Sequence, residues 1–445
     1  MKYPIILILI VFNITVSAQT SNTKRTIENF EDLKSAILLG EKSIEIKRSF
    51  ICTHPIVLPQ NASIKGIKQE NGEYPLLSFI NSDGIGLTTN NTVSNLNIDV
   101  PAQNKAIYAS LNVGNIGTNI FENLFIKGQL SLIYRAGVDK GRISINNVDI
   151  ISSDSRHYLE QPQKYGVNVL QGALTIYNLN PDINSNLDIQ ITNLSIGRKN
   201  APVSGSGVFI AGFGDNGGKV TVSKLHTKNV YSNGKIPPGV SNYITGGVFV
   251  LNGAYAKDVI TDGDVITYGT NDMVLDVWGT VENWTSNGPI ISYGASGVGF
   301  VNFGTVKNFT VNAPLQTYGK GARGYNQYDG TVENIRFKSI ETFGDGSVGV
   351  QISKKIGNLF IQENIVTHGS VGSSLVQGHY VDLPAYGLSI TNGGNVNSIT
   401  INGNIETNGS NVISYIKEKG AKVQKFDVKG EIKANGKNSV KESVK

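Results

Sequence analysis

The chain has 445 residues, a formal net charge of +5, 16% charged residues, 51 glycines and a single cysteine. Because an average globular protein carries roughly 7% Gly and about 25% charged residues, this composition excludes a solvated helical bundle and favours many turns. The hydrophobic fraction of 39% is large enough for a buried core, and a lone Cys52 excludes an intrachain disulfide or a multi-cysteine zinc site.

Residues 1–18 have the pattern of a cleavable signal peptide. Lys2 precedes an apolar run at 5–12, and Val-Ser-Ala at 16–18 supplies the small residues of a cleavage site. The run is too short to span a bilayer, and no later stretch of about 18 apolar residues occurs. We therefore expect a secreted or periplasmic protein with no membrane span and no nucleic-acid partner.

The stretch near residues 28–39 predicts a short amphipathic helix that ends at Gly40. Three short β-type stretches follow it between residues 42 and 66. This order resembles the opening of the pectate-lyase-like right-handed β-helix superfamily, in which a helix covers the open end of the solenoid. The resemblance implies that fold over residues 26–436, but it implies no reaction, because lyases, hydrolases, epimerases, phage spikes and adhesins share it.

A repeat of about 25 residues runs through the second half of the chain. A Thr-aromatic-Gly signature and an apolar-x-Asn-apolar signature share this period, with glycines at Gly269, Gly294, Gly319, Gly344 and Gly369 and asparagines at Asn283, Asn308, Asn334 and Asn358. Apolar and polar residues alternate between the turns, which is typical of strands. We therefore predict an all-β fold, a right-handed single-stranded parallel β-helix over residues 19–436, followed by a basic tail at 437–445.

Alternation along the strands sorts the repeated positions into columns. One inward column carries hydroxyl groups, at Thr267, Ser292, Thr317, Thr342 and Thr367, and the repeated asparagines are expected to form a second ladder that serves turn backbone. Two outward columns are aromatic, the first with Tyr268, Tyr293, Tyr318, Phe343 and His368 and the second with Trp278, Phe303 and Tyr328. Aromatic rings pack against the apolar faces of sugars, but they also stabilise neighbouring coils, and both readings stay open here.

Three insertions interrupt the repeat, near residues 151–180, 232–247 and 370–390. They are rich in polar and aromatic residues, including His379 and Tyr380. Loops on a rigid scaffold commonly carry binding and catalytic residues, although polar composition is also the ordinary state of a surface loop. The insertions therefore suit either a carbohydrate-binding cleft or ordinary surface loops, and both interpretations stay open here.

Four aspartates break the apolar pattern and are candidate catalytic residues: Asp272, Asp276, Asp329 and Asp345. Glycoside hydrolysis generally requires two carboxyl groups at roughly 5 to 9.5 Å, which adjacent coils can supply. The column of Asp276 continues to Asn326 and Gln351, so these side chains are expected on one exposed face. The candidate substrate-binding residues are Arg323, Asn326, Tyr328, Gln351, Trp278, Phe303, His379 and Tyr380.

The leading functional hypothesis is a secreted, glycoside hydrolase-like enzyme that cleaves or rearranges an oligo- or polysaccharide with an aspartate pair. Two alternatives are a polysaccharide lyase acting on a uronate-containing polymer and a noncatalytic carbohydrate-binding or adhesion protein. The Arg-x-Pro-x-x-Arg and Gly-His-Gly motifs of the superfamily are absent, so no catalytic residue is transferred from it. No metal site and no cofactor are predicted, and the sequence does not indicate an oligomeric state. The positive charge is concentrated in residues 415–445, which favours a neutral or mildly charged glycan.

Overall fold

The computed structural model describes residues 25–110, 113–376 and 378–444, and within them it is nearly all-β. The predicted signal peptide at 1–18 lies outside the described residues. One helix is present in the described part of the chain, α1 (Phe30–Leu38), inside the stretch where the sequence predicts it. None of the described segments contains a helix with the length and apolar character needed to cross a bilayer.

The described residues contain forty-one strands. In chain order the first twenty-one are β1 (Arg25–Ile27), β2 (Ser43–Ile46), β3 (Phe50–Cys52), β4 (Ile56–Val57), β5 (Ser63–Gly66), β6 (Leu76–Phe79), β7 (Ile85–Leu87), β8 (Thr92–Asp99), β9 (Lys105–Ala109), β10 (Gly114–Lys127), β11 (Gln129–Arg135), β12 (Val138–Ser152), β13 (Gln163–Lys164), β14 (Val167–Val169), β15 (Gly172–Leu179), β16 (Asn186–Ile196), β17 (Val203–Ser204), β18 (Ser206–Ala211), β19 (Lys219–Asn233), β20 (Tyr243–Val250) and β21 (Ala254–Thr261). The remaining strands are β22 (Val265–Thr267), β23 (Asp272–Val277), β24 (Thr280–Ser286), β25 (Ile290–Ser292), β26 (Val298–Asn302), β27 (Thr305–Thr317), β28 (Arg323–Gln327), β29 (Thr331–Thr342), β30 (Val348–Ile352), β31 (Lys355–Ile361), β32 (Ile365–Thr367), β33 (Gly372–Val376), β34 (His379–Leu383), β35 (Leu388–Ile390), β36 (Asn395–Ile401), β37 (Ile405–Thr407), β38 (Ile413–Lys417), β39 (Lys422–Val428), β40 (Ile432–Ala434) and β41 (Val440–Val444).

The strands form two long stacks that are almost entirely parallel. Twenty-three of the described strands hydrogen-bond into the first sheet and sixteen into the second, while β33 and β34 form an antiparallel pair of their own. In the regular region each coil gives one strand to the second sheet and one or two to the first: β23, β24 and β25 make one coil, and β26 and β27 make the next. This arrangement is consistent with a parallel β-helix.

The strand register follows the sequence repeat. Val265 pairs with Ile290, Ile290 with Leu315, Leu315 with Ile340 and Ile340 with Ile365, so each inward residue lies beside its counterpart one repeat later. These five side chains are fully buried in one continuous apolar core. The predicted inward hydroxyl column is confirmed, because it is fully buried at Thr267, Ser292, Thr317, Thr342 and Thr367.

A hydrogen-bonded asparagine ladder runs along the first sheet. The side-chain amide of Asn308 donates to Oδ1 of Asn283 at 3.0 Å, Asn334 donates to Asn308 at 3.1 Å, and Asn358 donates to Asn334 at 2.9 Å. The predicted ladder is therefore present. Its bonds, however, join side chains of neighbouring coils and do not serve turn backbone, because each amide lies directly beside its counterpart in the parallel register.

The helix α1 packs against the first strands of the chain. Its N-cap residue, Asn29, accepts a hydrogen bond from the backbone N–H of Asp32 at 3.0 Å. Its buried face consists of Phe30, Leu33 and Ala36 and packs against β1, β3 and β4. At the other end of the solenoid, β41 lies in the stretch expected as a basic tail and pairs in parallel with β38, so regular structure continues beyond residue 436.

The three insertions leave the solenoid between paired strands and return to the same columns. The register that brackets them pairs Asn146 with Thr192, Lys224 with Asp258, and Asn358 with Ser398. The first insertion contains the β13–β14 hairpin, whose turn is Tyr165-Gly166, and the third contains the β33–β34 hairpin. Because the columns resume after each insertion, the added residues are free to pack over the outer surface.

Candidate functional site

A cavity of about 110 Å³ lies on the outer face of the second sheet. Its floor includes the column of Asp276, Val301 and Asn326, together with Arg323. All three insertions contribute to its walls: Tyr165 and Val167 come from the first, Ser241 and Ile244 from the second, and Leu375 and Gly378 from the third. The three stretches that the sequence marks as insertions therefore meet at this cavity.

The first insertion covers the outer face of the coils that precede the cavity. A second apolar cluster, separate from the solenoid interior, forms there between Val169 of the insertion, Phe249 of β20 and Trp278, which directly follows β23. Phe249 is the neighbour of Asp276 in the same column. The prediction that Asp276 and Asn326 lie on an exposed face is wrong, since they are 0% and 6% exposed, because the insertions fold over this column.

Asp276 is a buried carboxylic acid with no hydrogen-bond partner in the described structure. Burial raises its pKa well above the ordinary value of 3.8. The indole N–H of Trp278 and the backbone N–H of Val277 lower the pKa, but neither reaches hydrogen-bonding geometry with Oδ1 or Oδ2. Asp276 is therefore biased strongly toward its protonated form, which is the form that can donate a proton into the cavity.

Two amide oxygens beside the cavity also lack donors. Oδ1 of Asn271 and Oδ1 of Asn326 are buried and unpaired within the described residues, and both side chains line the cavity. With the two oxygens of Asp276 they make four such atoms around one small space. Since buried polar atoms are nearly always paired in folded proteins, their clustering indicates a site that is completed by a ligand with hydroxyl or amine donors.

Arg323 brings a buried positive charge to the same cavity. Its side chain is 5% exposed, its Nε donates to Oε1 of Gln351 at 3.0 Å, and its Nη1 donates to the carbonyl oxygen of Gly321 at 3.4 Å. Burial lowers its pKa to about 10, so the guanidinium stays charged at neutral pH. None of the ion pairs among the described residues includes it, which leaves this charge available to a ligand.

An aromatic wall closes one side of the cavity. The ring of Tyr165 stacks on Phe303 with centroids 4.5 Å apart and meets Trp278 edge-on at 5.4 Å. Phe303 and Tyr328 are 4.8 Å apart, and Trp278 and Phe303 are 5.8 Å apart. The structure thus brings together the three predicted residues of the second aromatic column, but it buries Trp278 beneath Tyr165.

Asp272 does not line the cavity, and its carboxylate instead accepts hydrogen bonds from backbone N–H groups. Its carboxylate accepts hydrogen bonds from the backbone N–H groups of Gly269 at 2.6 Å and Gly234 at 3.2 Å, and from the hydroxyl of Thr245. Burial raises its pKa to about 6, against the effect of these donors. These contacts tie the turn before β23 to the end of β19.

The other two candidate aspartates lie outside the cavity. Asp329 follows the wall residue Tyr328 and forms a 3.8 Å ion pair with Lys354. The pKa of the Tyr165 hydroxyl is raised mainly by burial, and the charge of Asp329 adds to this increase. Asp329 therefore lies near the rim of the site. Asp345 is exposed in a turn, where its side chain accepts a hydrogen bond from the backbone N–H of Ser370 at 2.8 Å.

The remaining predicted substrate-binding residues, Gln351, His379 and Tyr380, lie in the coils that follow the cavity along the chain. Gln351 is half-buried and accepts the hydrogen bond from Arg323. His379 and Tyr380 lie on β34 and are exposed, while Leu375, which pairs with Tyr380, is the hairpin residue that reaches the cavity. Residue 377 of this hairpin lies outside the described residues.

The first aromatic column is a stack of mutually covered rings. Tyr268, Tyr293, Tyr318, Phe343 and His368 follow one another at centroid distances of 5.4, 5.0, 4.5 and 4.8 Å, with interplanar angles of 2° to 20°. The flat face of each inner ring is therefore occupied by its neighbours, and solvent meets ring edges. Since sugars pack on ring faces, this column favours coil-to-coil stabilisation over glycan binding.

We expect the substitution Tyr293→Ala to lower the free energy of unfolding by about 1–3 kcal/mol, because it removes two ring–ring contacts of about 0.5–1.5 kcal/mol each. Urea unfolding tests this, with Tyr293→Phe as the control that keeps the stack. A Tyr293→Ala variant as stable as the wild type would contradict the structural role.

Sequence reasoning missed several residues of the cavity. Asn271 lines it together with Ser296, its counterpart 25 residues later, and this pair follows the repeat; Tyr165 and Ser241 also line it but lie in insertions, outside the repeated columns. Tyr165 precedes Gly166 in a turn where both residues have positive φ, of 56° and 83°, and this short hairpin is the one local signal that marks its position. What the hairpin packs against is not visible in the local sequence.

The described residues contain no group of three or more His, Cys, Asp and Glu side chains arranged to hold a metal ion. Comparison of the chain with family models, with curated proteins and with solved structures finds no match. The chemistry of the cavity residues is therefore the basis for a functional assignment.

Proposed function

We propose that this protein is an exported carbohydrate-active enzyme that binds one sugar residue of a glycan in the cavity and cleaves its glycosidic bond. The proposal rests on the buried, unpaired oxygens of Asp276, Asn271 and Asn326, which the insertions enclose in one space. Sugar hydroxyls supply the missing donors, and sugar C–H faces suit the aromatic wall. A water needs roughly 10–15 Å³ of such space, so about 110 Å³ suits one sugar residue.

In this proposal Asp276 is the proton donor. Its carboxylic acid passes its proton to the glycosidic oxygen as the bond between that oxygen and the anomeric carbon breaks. Asp329, at the rim, is the base that takes a proton from the attacking water.

Arg323 favours a second candidate, a polysaccharide lyase. Its buried guanidinium contacts neutral groups and has no carboxylate partner among the described residues. A uronate carboxylate in the cavity would complete that pairing. Asp329 would then take the C5 proton of the neutralised uronate while Asp276 gives its proton to the leaving glycosidic oxygen, and a C4–C5 double bond forms. The two reactions differ in their products, because a lyase leaves an unsaturated sugar that absorbs ultraviolet light and a hydrolase does not.

A panel of polysaccharides tests the proposal: starch, xylan, galactan, pectin, alginate and hyaluronan. New reducing ends without ultraviolet absorbance support hydrolysis, and new reducing ends with absorbance support the lyase. Binding without either product would show a noncatalytic carbohydrate-binding protein and would overturn the enzymatic assignment. Neither binding nor product with any glycan would overturn the carbohydrate assignment itself.

We also propose the finer description of the fold that the repeat suggests. The solenoid is right-handed, has coils of about 25 residues in its regular region, and uses α1 as its amino-terminal cap, as in pectate-lyase-like proteins. The register from Val265 to Ile365 and the packing of α1 on the first strands support this description. A crystal structure would test the handedness directly.

A further inference from the structure

We infer that the cavity receives a terminal residue of a glycan chain, and that Tyr165 determines this specificity by separating the cavity from an outer groove. The inference rests on the proposed function and narrows it to chain-end action. A site that accepts internal residues must be open on two sides so that the polymer can pass through, and the structure closes the relevant sides with named residues.

The column that carries Asp276 is filled on its upstream side. Phe209 pairs with Phe249, and Phe249 pairs with Asp276, so the two rings occupy the positions where a bound chain would continue along the column. Both rings are fully buried. Ile244 packs against them in the second apolar cluster and also lines the cavity, so a glycan has no path along the outer sheet in this direction.

The third insertion closes the side of the cavity at which the strands of the second sheet, such as β28, begin. The β33–β34 hairpin folds back onto the turn before β28, where the hydroxyl of Ser374 donates to the carbonyl oxygen of Gly321 at 3.1 Å. The backbones are in such close contact that a Cβ on Gly321 would lie 2.6 Å from Cα of Ser374. Leu375 of the same hairpin reaches the cavity beside Arg323.

Tyr165 closes the side at the ends of the strands. Its ring stacks on Phe303, and its hydroxyl donates to the carbonyl oxygen of Phe303 at 3.4 Å. Beyond this ring lies a groove of about 410 Å³ that contains the ion pair between Lys164 and Asp215. Tyr165 and Phe303 line both the cavity and the groove, so the Tyr165 ring is the partition between the two.

These three closures leave one side for the rest of the chain. The terminal residue occupies the cavity next to Asp276, and the following residues leave on the downstream side, where the column continues from Asn326 to the half-buried Gln351. Removal of the Tyr165 ring would join the cavity and the groove into one open cleft, and internal residues of a polymer would then reach Asp276.

Partial acid hydrolysis of the same six polysaccharides tests the inference, because it multiplies chain ends at constant glycan mass. The wild-type protein should bind and turn over each recognised glycan in proportion to the number of its ends, release small products first, and leave the viscosity of the intact polymer nearly constant. The Tyr165→Ala variant should lower that viscosity rapidly, and Tyr165→Phe, which keeps the ring, should behave like the wild type.

The outcomes separate this inference from the function on which it rests. Rapid loss of viscosity with the wild-type protein, or equal activity on intact and fragmented polymer, would overturn chain-end action while leaving the glycan-cleaving assignment in place. Absence of both binding and products with all probes would overturn both. Because Tyr165→Ala could unfold its hairpin, the comparison of intact and fragmented polymer with the wild-type protein tests chain-end action without that variant, and circular dichroism of Tyr165→Ala shows whether its viscosity result counts.

Discussion

Replacement of Asp276 by Asn is expected to lower kcat by about 10²–10⁴-fold, the usual contribution of a general acid. The substitution keeps the shape of the side chain and removes the transferable proton. Binding of the uncleaved glycan should persist, because Asn271, Asn326 and the aromatic wall are unchanged. Initial rates of reducing-end formation, measured with saturating glycan, provide the readout.

Asp276→Asn is also expected to be more stable than the wild type, and the difference in stability should increase as the pH rises. A carboxyl group whose pKa is raised by folding holds its proton in the native state at pH values where the unfolded chain has lost it, so native stability falls from about pH 4 upward through the raised pKa of Asp276. The variant Asp276→Asn has no such group. Its Tm should therefore be nearly independent of this titration, and its advantage over the wild type should grow from about pH 4 up to the raised pKa of Asp276.

The combination of lost activity and gained stability distinguishes a functional carboxyl from a structural one. Asp329→Asn tests the proposed base and should also lower kcat, whereas Asp345→Asn, in an exposed turn, is the matched control and should change neither quantity. Normal activity of the Asp276→Asn variant would show that Asp276 is not the proton donor. Strong destabilisation at pH 7 would show that its carboxylate is needed by the fold.

Replacement of Asp272 by Ala is expected to lower the free energy of unfolding by about 3–5 kcal/mol, because a buried donor left without its partner costs roughly 1–3 kcal/mol. The substitution leaves the N–H groups of Gly269 and Gly234 and the hydroxyl of Thr245 without their hydrogen-bond acceptor. Urea unfolding followed by circular dichroism measures the loss. A variant as stable as the wild type would show that these three hydrogen bonds add little.

The wild-type titration of Asp272 has a defined direction. Its native pKa of about 6 exceeds the ordinary value of 3.8, so stability is highest below about pH 4, falls by about 3 kcal/mol as pH rises through 6, and is constant above that range. The variant Asp272→Asn should lack this slope. Since Asp276 contributes a slope of the same sign, Asp272→Asn in the Asp276→Asn background isolates the effect.

Much of the fold follows from local properties of the chain. The recurrence from Val265 to Ile365 predicted which strands pair, and the alternation within each strand predicted the buried hydroxyl of Thr317 and the shared column of Asp276 and Asn326. These features are predictable because parallel stacking places each residue beside its counterpart one repeat later, and a strand turns successive side chains to opposite faces.

The site was only partly predictable, for two reasons that concern packing. The rings of Tyr293 and Tyr318 recur at outward positions, but repetition does not reveal that their faces cover one another. The pattern also treats Trp278 and Asp276 as exposed, since it contains nothing about what lies above the sheet. A loop's sequence constrains its own turn, as at Tyr165-Gly166, and leaves its position on the scaffold to contacts distant in sequence.

The amino-acid sequence by itself determined the stack of strands, the columns of side chains and the places where the repeat is interrupted, because period and alternation are local and repeat from coil to coil. Only the tertiary structure decided that the three interruptions meet over one column and bury Asp276 beside Arg323. Burial raises the pKa of one and lowers that of the other through loss of solvation, and solvation depends on the whole fold.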